Sequence, residues 1–560
     1  MNGSLATTFQ VLSTTDNEAA GDLYEVNGSL ATTFQVLTTT GNEAAVRVLI
    51  PALDSPNAAI QEGALRAILA RRSRTGHREV VRRLHSMPDW WAKVIAEQHG
   101  RMAGALRDAI LSTDRQMCVN GCRAAVWFCE YDLAAAVLNV MENRTSGNAD
   151  VATETLLALV GGLYEEVSAP RDLADRRDPQ FVRRHVLESL ELSFKRYPQH
   201  QRREVIEAFL MLAGRDNVVL NRILQDPHHP VYLPMIDLLS NSSHDGIMRL
   251  LLSFLDDPHA PSAAISLAAK RSDPEFIRSL LRKIGREPAF VVRQNLHRIQ
   301  SVSWLGRLDL LDQFDDAAQH ATIRLAMYSS VSRLQVFATV EHLLLRGKPG
   351  GRREAALALE TFNGAAANAL AIRALDDPDP QVQANVAGQL RRRGIPGILS
   401  RLLTMMESPH EEVRSAVRGS LEEFTFERFV GAFDMLDEEV RRSTGIVVKK
   451  VDRQATQCLL QELKSIVRTR RLRGLAIARA LELVEQVEPT VIDMLRGDED
   501  HMVRVVAAGL LGDCTSQESL EALFHAGGDS STAVVEAARE SIEQRVAFIP
   551  RHDPWFGRRE

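Results

Sequence analysis

Three cysteines are the side chains in this sequence best spaced for chemistry. Cys118, Cys122 and Cys129 fall within about 60° of one another on a helical wheel. Thiols on one helical face can bind a metal ion or sense oxidation. Cys118 and Cys122, however, fall at positions that a recurrent sequence pattern fills elsewhere with valine, alanine or isoleucine. Since cysteine serves there as a small hydrophobic residue, we expect these two thiols to belong to the protein interior.

The histidines and a glycine-rich stretch show no spacing typical of a catalytic or metal site. The sequence lacks a His-Glu-x-x-His motif, paired Cys-x-x-Cys motifs and a Gly-x-Ser-x-Gly motif. His228 and His229 stand between two prolines, which predicts a solvated turn. Residues 347–351 lack the Gly-x4-Gly-Lys-Ser/Thr pattern of a phosphate-binding loop. We therefore predict no catalytic residue, no cofactor, no metal and no enzymatic activity.

Clusters of arginine are the features most typical of binding. One lies within residues 71–83, a second is Arg391–Arg393, and a third lies within residues 468–473. Arginines in rows can contact phosphates or acidic partners. Helix C-termini also favour cations through the helix dipole, which accounts for Arg71 and for the second cluster but not for the third. The candidate partner-binding residues of the third cluster are Arg468, Arg470, Arg471 and Arg473.

Tryptophans supply the remaining candidates for partner binding. The pair Trp90 and Trp91 either packs between structural units or forms an exposed anchor of the kind that dominates interfaces. Trp555 lies in a C-terminal tail that also contains Pro550 and Pro554. Because prolines interrupt helices, we expect this tail to leave the helical part of the chain.

The bulk composition indicates a soluble globular protein. Hydrophobic residues make up 45% and charged residues 25% of the 560 positions. The net charge of −6 provides no global positive field for a nucleic acid. Five cysteines do not form a disulfide framework, and the sequence contains no long apolar stretch and no secretory signal pattern. We therefore predict a cytoplasmic protein that does not bind a membrane.

A phrase that recurs at a fixed interval determines the fold class. Residues 375–378 and 406–409 are turns that end in Asp-Pro or Ser-Pro, and each is followed by a stripe of apolar residues. The stripes are Val382, Val386 and Leu390 and, 31 positions later, Val413, Val417 and Leu421. A residue before proline avoids the helical region, and acidic residues cap the next helix. A period in this range is the signature of a solenoid of helical hairpins.

The same phrase resembles HEAT repeats, in particular the short repeats of phycobilisome-lyase-like HEAT proteins. The matching residues are Asp377-Pro378 with Val382-Gln383, Ser408-Pro409 with Val413-Arg414, and Val503-Arg504. The resemblance implies an all-α fold, an α-solenoid of the HEAT/armadillo type in which stacked helical hairpins form a superhelix. It also implies a surface that binds other macromolecules. A few proteins of similar fold act as lyases or DNA glycosylases.

The N-terminus contains a second, different repetition. Residues 1–20 and 26–45 are identical at 17 of 20 positions, which indicates a recent tandem duplication. Met1 aligns with Val26, and because a valine codon can start translation in bacteria, the sequence allows a start at residue 26. We predict a duplicated segment over 1–45 whose first copy is poorly ordered, a solenoid over 46–548 and a tail over 549–560.

These observations favour a non-enzymatic scaffold or adaptor that binds a protein partner, which the sequence does not identify. A nucleic-acid-binding protein that uses the arginine clusters is the main alternative. A lyase-like HEAT protein is the third. The sequence does not determine the oligomeric state.

Overall fold

The computed structural model of the chain describes residues 28–98, 100–170 and 178–548. These residues contain helices and no strand, which confirms the predicted all-α class. None of these helices is long and apolar enough to cross a membrane. The chain divides into unit 1, Met1–Trp304 with Tyr328–Val331, and unit 2, Leu305–Met327 with Ser332–Glu560.

The described part of unit 1 consists of short helices joined by tight turns. The helices are α1 Gly28–Thr39, α2 Ala44–Ala52, α3 Ala58–Arg71, α4 Arg74–Arg83, α5 Asp89–Ala96, α6 Ala103–Ile110, α7 Arg115–Trp127, α8 Ala134–Glu142, α9 Ala149–Ser168, α10 Pro179–Phe194, α11 Tyr197–His200, α12 Arg203–Leu212, α13 Val218–Gln225, α14 Tyr232–Asn241, α15 Asp245–Ser253, α16 Ser262–Lys270, α17 Pro274–Ile284 and α18 Phe290–His297.

Unit 2 is built in the same way. Its helices are α19 Leu308–Gln313, α20 Asp316–Tyr328 (apart from its last residue), α21 Arg333–Arg346, α22 Pro349–Ala358, α23 Ala365–Ala374, α24 Pro380–Leu390, α25 Ile398–Met405, α26 Glu411–Ser420, α27 Phe426–Ala432, α28 Glu438–Val451, α29 Ala455–Leu463, α30 Arg468–Ala480, α31 Val484–Gly497, α32 His501–Leu511, α33 Gln517–Ala526 and α34 Thr532–Phe548.

In unit 1 the first helices alternate between two layers. Helices α2, α4, α6 and α8 pack side by side in one layer. In the other layer α1 packs against α3, α3 against α5, and α7 against α9. These helices therefore pack on the helix two places along within a layer, which is the arrangement of a solenoid.

The second copy of the duplicated segment supplies α1, which covers α3. A Cβ atom at Gly63 of α3 would lie 2.3 Å from the ring of Phe34 in α1, so only glycine admits this close approach. The Arg71 guanidinium donates hydrogen bonds to the carbonyls of Leu37, at 2.6 Å, and Asn42, at 2.7 Å. The first copy and the tail lie outside the described residues, and the predicted division of the chain stays a prediction.

The predicted apolar stripes line the interior of unit 2. Val382, Val386, Leu390, Val413, Val417 and Leu421 are all 0% exposed. The turn residues cap the next helix as predicted, since the Asp379 carboxylate accepts from the backbone N–H of Gln381 at 3.0 Å and that of Asp500 accepts from Met502 at 2.9 Å. His410, the N-cap of the helix after residues 406–409, makes no side-chain cap hydrogen bond. Burial of one apolar stripe per helix is therefore the feature that the two phrases share.

The polar residue that follows the first valine of each stripe closes the turn before it. Gln383 donates to the carbonyl of Asp377 at 2.8 Å, and Arg504 to the carbonyl of Asp498 at 2.7 Å. Arg414 makes the equivalent bond to Ser408 at 2.5 Å. Each donor lies six positions after its acceptor. In the Val-Arg or Val-Gln pair, the valine therefore packs in the interior and the polar residue hydrogen-bonds to the preceding turn.

Candidate partner-binding surfaces

The third arginine cluster lies in the first turn and a half of α30, and its exposed members are paired with acids. Arg468 Nε lies 2.6 Å from an Asp500 carboxylate oxygen. Arg470 forms an ion pair with Glu462 in the preceding helix. This hydrogen bond from Arg470 holds the pKa of Glu462 below its usual range, although burial of the carboxyl opposes the shift.

The other two members of this cluster are partly or fully enclosed. Arg471 is 8% exposed, and its Nε lies 2.8 Å from Asp498 in the turn that follows α31. Arg473 is half-buried, with Glu462 at 3.5 Å and Asp434 at 3.9 Å. All four arginines therefore hold helices and turns together, and the cluster does not present four unpaired cations to a partner.

The two adjacent tryptophans differ in exposure. Trp91 is 2% exposed and lies in the interior, whereas Trp90 is half-buried. Their ring centroids are 6.2 Å apart with an interplanar angle of 59°. Trp90 thus provides the only surface of the pair that a partner can reach, and its role in binding stays a prediction. Trp555 lies outside the described residues.

The cysteines separate into a buried pair and a third residue beyond the helix. Cys118 and Cys122 are 0% and 1% exposed in α7, and the Cys118 thiol donates to the carbonyl of Ile110 at 3.3 Å. Hydrogen bonding with Cys122 and burial raise the pKa of the Cys118 thiol. Helix α7 ends at Trp127, so Cys129 does not continue the face that the wheel predicted, and it is exposed with a φ of 51°. Across the described residues no group of three or more His, Cys, Asp or Glu is placed to hold a metal ion.

The glycine-rich stretch and the histidine turn have structural contacts. Lys348 donates from Nζ to the carbonyl of Phe314 at 2.6 Å, and Pro349 begins α22. In the turn between α13 and α14, His229 Nδ1 accepts from the backbone N–H of Val231 at 3.2 Å, while His228 is exposed. A lysine held by a carbonyl in this way is not directed at a phosphate.

A groove lies between α10 and α13 on the surface of unit 1. Its volume is about 540 Å³. Buried Phe194 and Ile223 and half-buried Val219 contribute apolar surface, and Leu192 is 52% exposed at the edge. Val218, directly before the lining residue Val219, is 69% exposed. This volume accommodates a few apolar side chains of a partner, and the exposed Leu192 and Val218 extend the apolar surface at its edge.

Charged side chains of both signs line the same groove. Glu188 and Glu191 come from α10, with Lys195 directly after that helix, and Arg222 comes from α13. Asn217, the N-cap of α13, donates from Nδ2 to Glu191 at 2.8 Å and so ties the two helices together. A groove with apolar lining and a charged rim has the composition of a protein-binding site.

Reasoning from the sequence did not find this groove. Leu192 and Val219 are ordinary members of apolar helices in the sequence, and nothing in their spacing separates an exposed position from a buried one. One feature of the sequence does point to the groove: α13 is short, since it ends at Gln225 before the Asp226-Pro227 turn. A short helix beside a long one leaves part of the long helix uncovered.

Comparison with known proteins gives one family match and a set of similar structures. Residues 338–422 match the family model of HEAT repeats. No curated protein matches the chain. A solved structure of a Kap121p triple mutant is 14% identical with a TM-score of 0.23, and the match covers 96% of this chain and 56% of that one. Kap121p bound to Ste12p, also 14% identical, has a TM-score of 0.20, with the same coverage of each chain.

A third similar structure, Kap121p bound to Nup53p, is 14% identical with a TM-score of 0.21, and covers 92% of this chain and 53% of that one. The chain thus spans about half the length of these structures. Because these TM-scores are low, the fold assignment rests on the helical repeats and the family match. The narrower likeness to phycobilisome-lyase-like proteins stays a prediction. The matched residues contain the Asp-Pro and Ser-Pro turns, the valine stripes and the turn-closing Gln383 and Arg414, and residues 338–422 are thus similar to HEAT repeats.

Proposed function

We propose that the chain is a non-enzymatic scaffold that binds another protein, and that the groove between α10 and α13 is a principal contact. The observation that carries this proposal is the groove itself, which combines an apolar lining, the half-exposed Leu192 and a rim of both charge signs. A partner would insert an apolar side chain beside Leu192 and pair its own charges with the rim.

The ion pairs of the third arginine cluster argue against the nucleic-acid alternative. Nucleic-acid affinity depends on cations that can replace the counterions of phosphates. Arg468 and Arg471 are instead held by Asp500 and Asp498 at 2.6 and 2.8 Å. Releasing them to bind phosphate would remove these ion pairs from the two carboxylates.

Affinity capture with nuclease treatment tests the proposal. The wild-type chain should retain a protein partner after nuclease digestion, and Leu192→Lys should lose it by about tenfold or more, as expected for an interface anchor. A lysine near a helix C-terminus is compatible with the helix dipole, so the variant should fold.

The matched control is Leu334→Lys, since Leu334 in α21 is 85% exposed and lies far from the groove in sequence. This variant should capture the partner as the wild type does. Capture that disappears with nuclease, or that survives Leu192→Lys unchanged, would overturn the proposal.

A further inference from the structure

A row of arginines on the outer face of α2, α4 and α6 is the most informative surface that the groove does not explain. Arg47, Arg78 and Arg107 are all exposed, and each directly follows a buried pair of its helix. The buried pairs are Ala45-Val46, Gly76-His77 and Ala105-Leu106. The three arginines therefore occupy the same position in three helices, at intervals of 31 and 29 residues.

These three helices are direct neighbours in one layer, since α2 packs against α4 and α4 against α6. Packed helices lie about 8–10 Å apart. Equivalent positions on adjacent helices then place one guanidinium about every 8–10 Å along a line across the unit. This spacing is regular, whereas an ordinary solvated surface alternates charges of both signs.

The acids beside the row are already engaged by other arginines. Glu79 contacts Arg82 at 3.2 Å and Arg83 at 2.8 Å. Asp108 contacts Arg74 at 2.8 Å. Among the described residues no ion pair engages Arg47, Arg78 or Arg107, which contrasts with the third arginine cluster. The row therefore retains its positive charge in the folded protein.

Exposed apolar side chains lie next to the row. Val48, directly after Arg47, is 62% exposed, and Leu111, one turn after Arg107, is 46% exposed. Cations beside apolar surface can contact a peptide in two ways, through its charges and through its side chains.

We propose that the outer face of α2, α4 and α6 binds an extended acidic peptide segment of a partner protein, in which an acidic residue recurs at every third position. An extended polyproline II chain has three residues per turn and rises about 3.1 Å per residue. It thus presents every third side chain on one face at about 9 Å intervals, which matches the arginine row. The proposal rests on the proposed function, because it assigns a second contact to the same scaffold.

The test uses the full chain and a fluorescent twelve-residue peptide, (Glu-Ser-Pro)4, with binding followed by anisotropy. The triple variant Arg47→Gln, Arg78→Gln, Arg107→Gln should bind about tenfold more weakly than the wild type, since each exposed charge pair contributes modestly. The control triple Arg123→Gln, Arg278→Gln, Arg282→Gln removes the same charge from exposed positions elsewhere in unit 1 and should stay within about twofold.

A second peptide of the same composition, with its four glutamates consecutive, separates spacing from net charge. It should bind more weakly than the evenly spaced peptide. Equal binding of the two peptides, equal loss in the control triple, or no binding by the wild type would overturn the proposal. So would tighter binding of a single-stranded oligonucleotide that the row triple abolishes, because that result assigns the row to nucleic acid.

The outcome of this test is independent of the outcome of the test of the proposed function. If the acidic peptide does not bind while nuclease-resistant capture still depends on Leu192, the scaffold function stands and the arginine row has no part in it. If the peptide binds but no protein is captured through the groove, the row is a binding surface and the groove is not.

Discussion

Three arginines near helix N-termini each connect their own repeat to the turn of the next repeat. Arg504 closes its own turn through the carbonyl of Asp498 at 2.7 Å and also contacts the Asp529 carboxylate of the following turn at 2.9 and 3.0 Å. The same arrangement joins Arg471 to Asp498 and Arg352 to Asp377, at 2.8 and 3.0 Å. Each of these three side chains therefore holds both a turn and an interface between repeats.

Removing one of these links should destabilise unit 2 more than removing an exposed ion pair. In Arg471→Gln the carboxylate of Asp498, whose side chain is 6% exposed, loses its charged partner. We expect a loss of about 3 kcal/mol in the free energy of unfolding, measured by urea denaturation. The control Arg468→Gln, where the arginine side chain is 50% exposed, should cost less than about 1 kcal/mol. Equal losses of stability in the two variants would contradict the distinction between the buried and the exposed ion pair.

A buried histidine should make unit 1 sensitive to acid. His77 in α4 is 4% exposed, and burial lowers its pKa below the ordinary value of 6.5, while the nearby backbone of Leu69 and Ile68 opposes the shift and nearby Arg101 adds to it. Because the folded pKa lies below the unfolded one, acid favours unfolding. Stability is complete above about pH 6.5 and declines as the pH falls from there to the folded pKa.

Replacing this histidine should flatten that decline. His77→Gln is expected to reduce the change in the urea midpoint between pH 7 and the folded pKa, whatever its effect on stability at neutral pH. The control is His228→Gln in the exposed turn, which should keep the wild-type pH profile. An unchanged profile in His77→Gln would show that other groups carry the acid sensitivity.

At the scale of the helix, the sequence predicts periodicity better than it predicts where a helix ends or what covers it. The valine stripes and the capping aspartates follow from local spacing and were predicted correctly. Cys129 was predicted to share the face of Cys118 and Cys122, but α7 ends at Trp127 and the chain turns through a positive φ at Cys129. A helical wheel assumes continuity, and no residue here marks the end with a proline or glycine.

The contact between α1 and α3 gives a test at this scale. In Gly63→Ala the new Cβ would meet the Phe34 ring at 2.3 Å, so α1 must shift. We expect a cost of about 1–3 kcal/mol and faster hydrogen exchange in residues 28–39.

The matched control is Gly104→Ala in α6, where a Cβ would have no heavy atom within 4 Å. Alanine there should be neutral or stabilising by up to about 1 kcal/mol. If Gly63→Ala leaves hydrogen exchange in residues 28–39 unchanged, α1 does not cover α3 as described.

At the scale of the molecule, the class of fold was predictable and its surfaces were not. A recurring phrase reports on a repeat because each copy solves the same packing problem with nearby residues. The groove depends on how α10 and α13 lie against each other. The arginine row depends on three residues about 30 positions apart, of which Arg78 alone falls within a cluster visible in the sequence. The sequence cluster that was predicted to bind a partner, Arg468–Arg473, forms ion pairs with aspartate and glutamate side chains instead.

Hydrogen exchange of the full chain, alone and with its captured protein partner, tests the scaffold function most directly. The proposal predicts slower exchange in residues 188–195 and 218–225, which border the groove, in the complex formed by the wild type. Leu192→Lys should abolish that protection, and Leu334→Lys should preserve it. If complex formation leaves the exchange rates of both groove segments unchanged, the central claim that the scaffold binds its partner at this groove is contradicted.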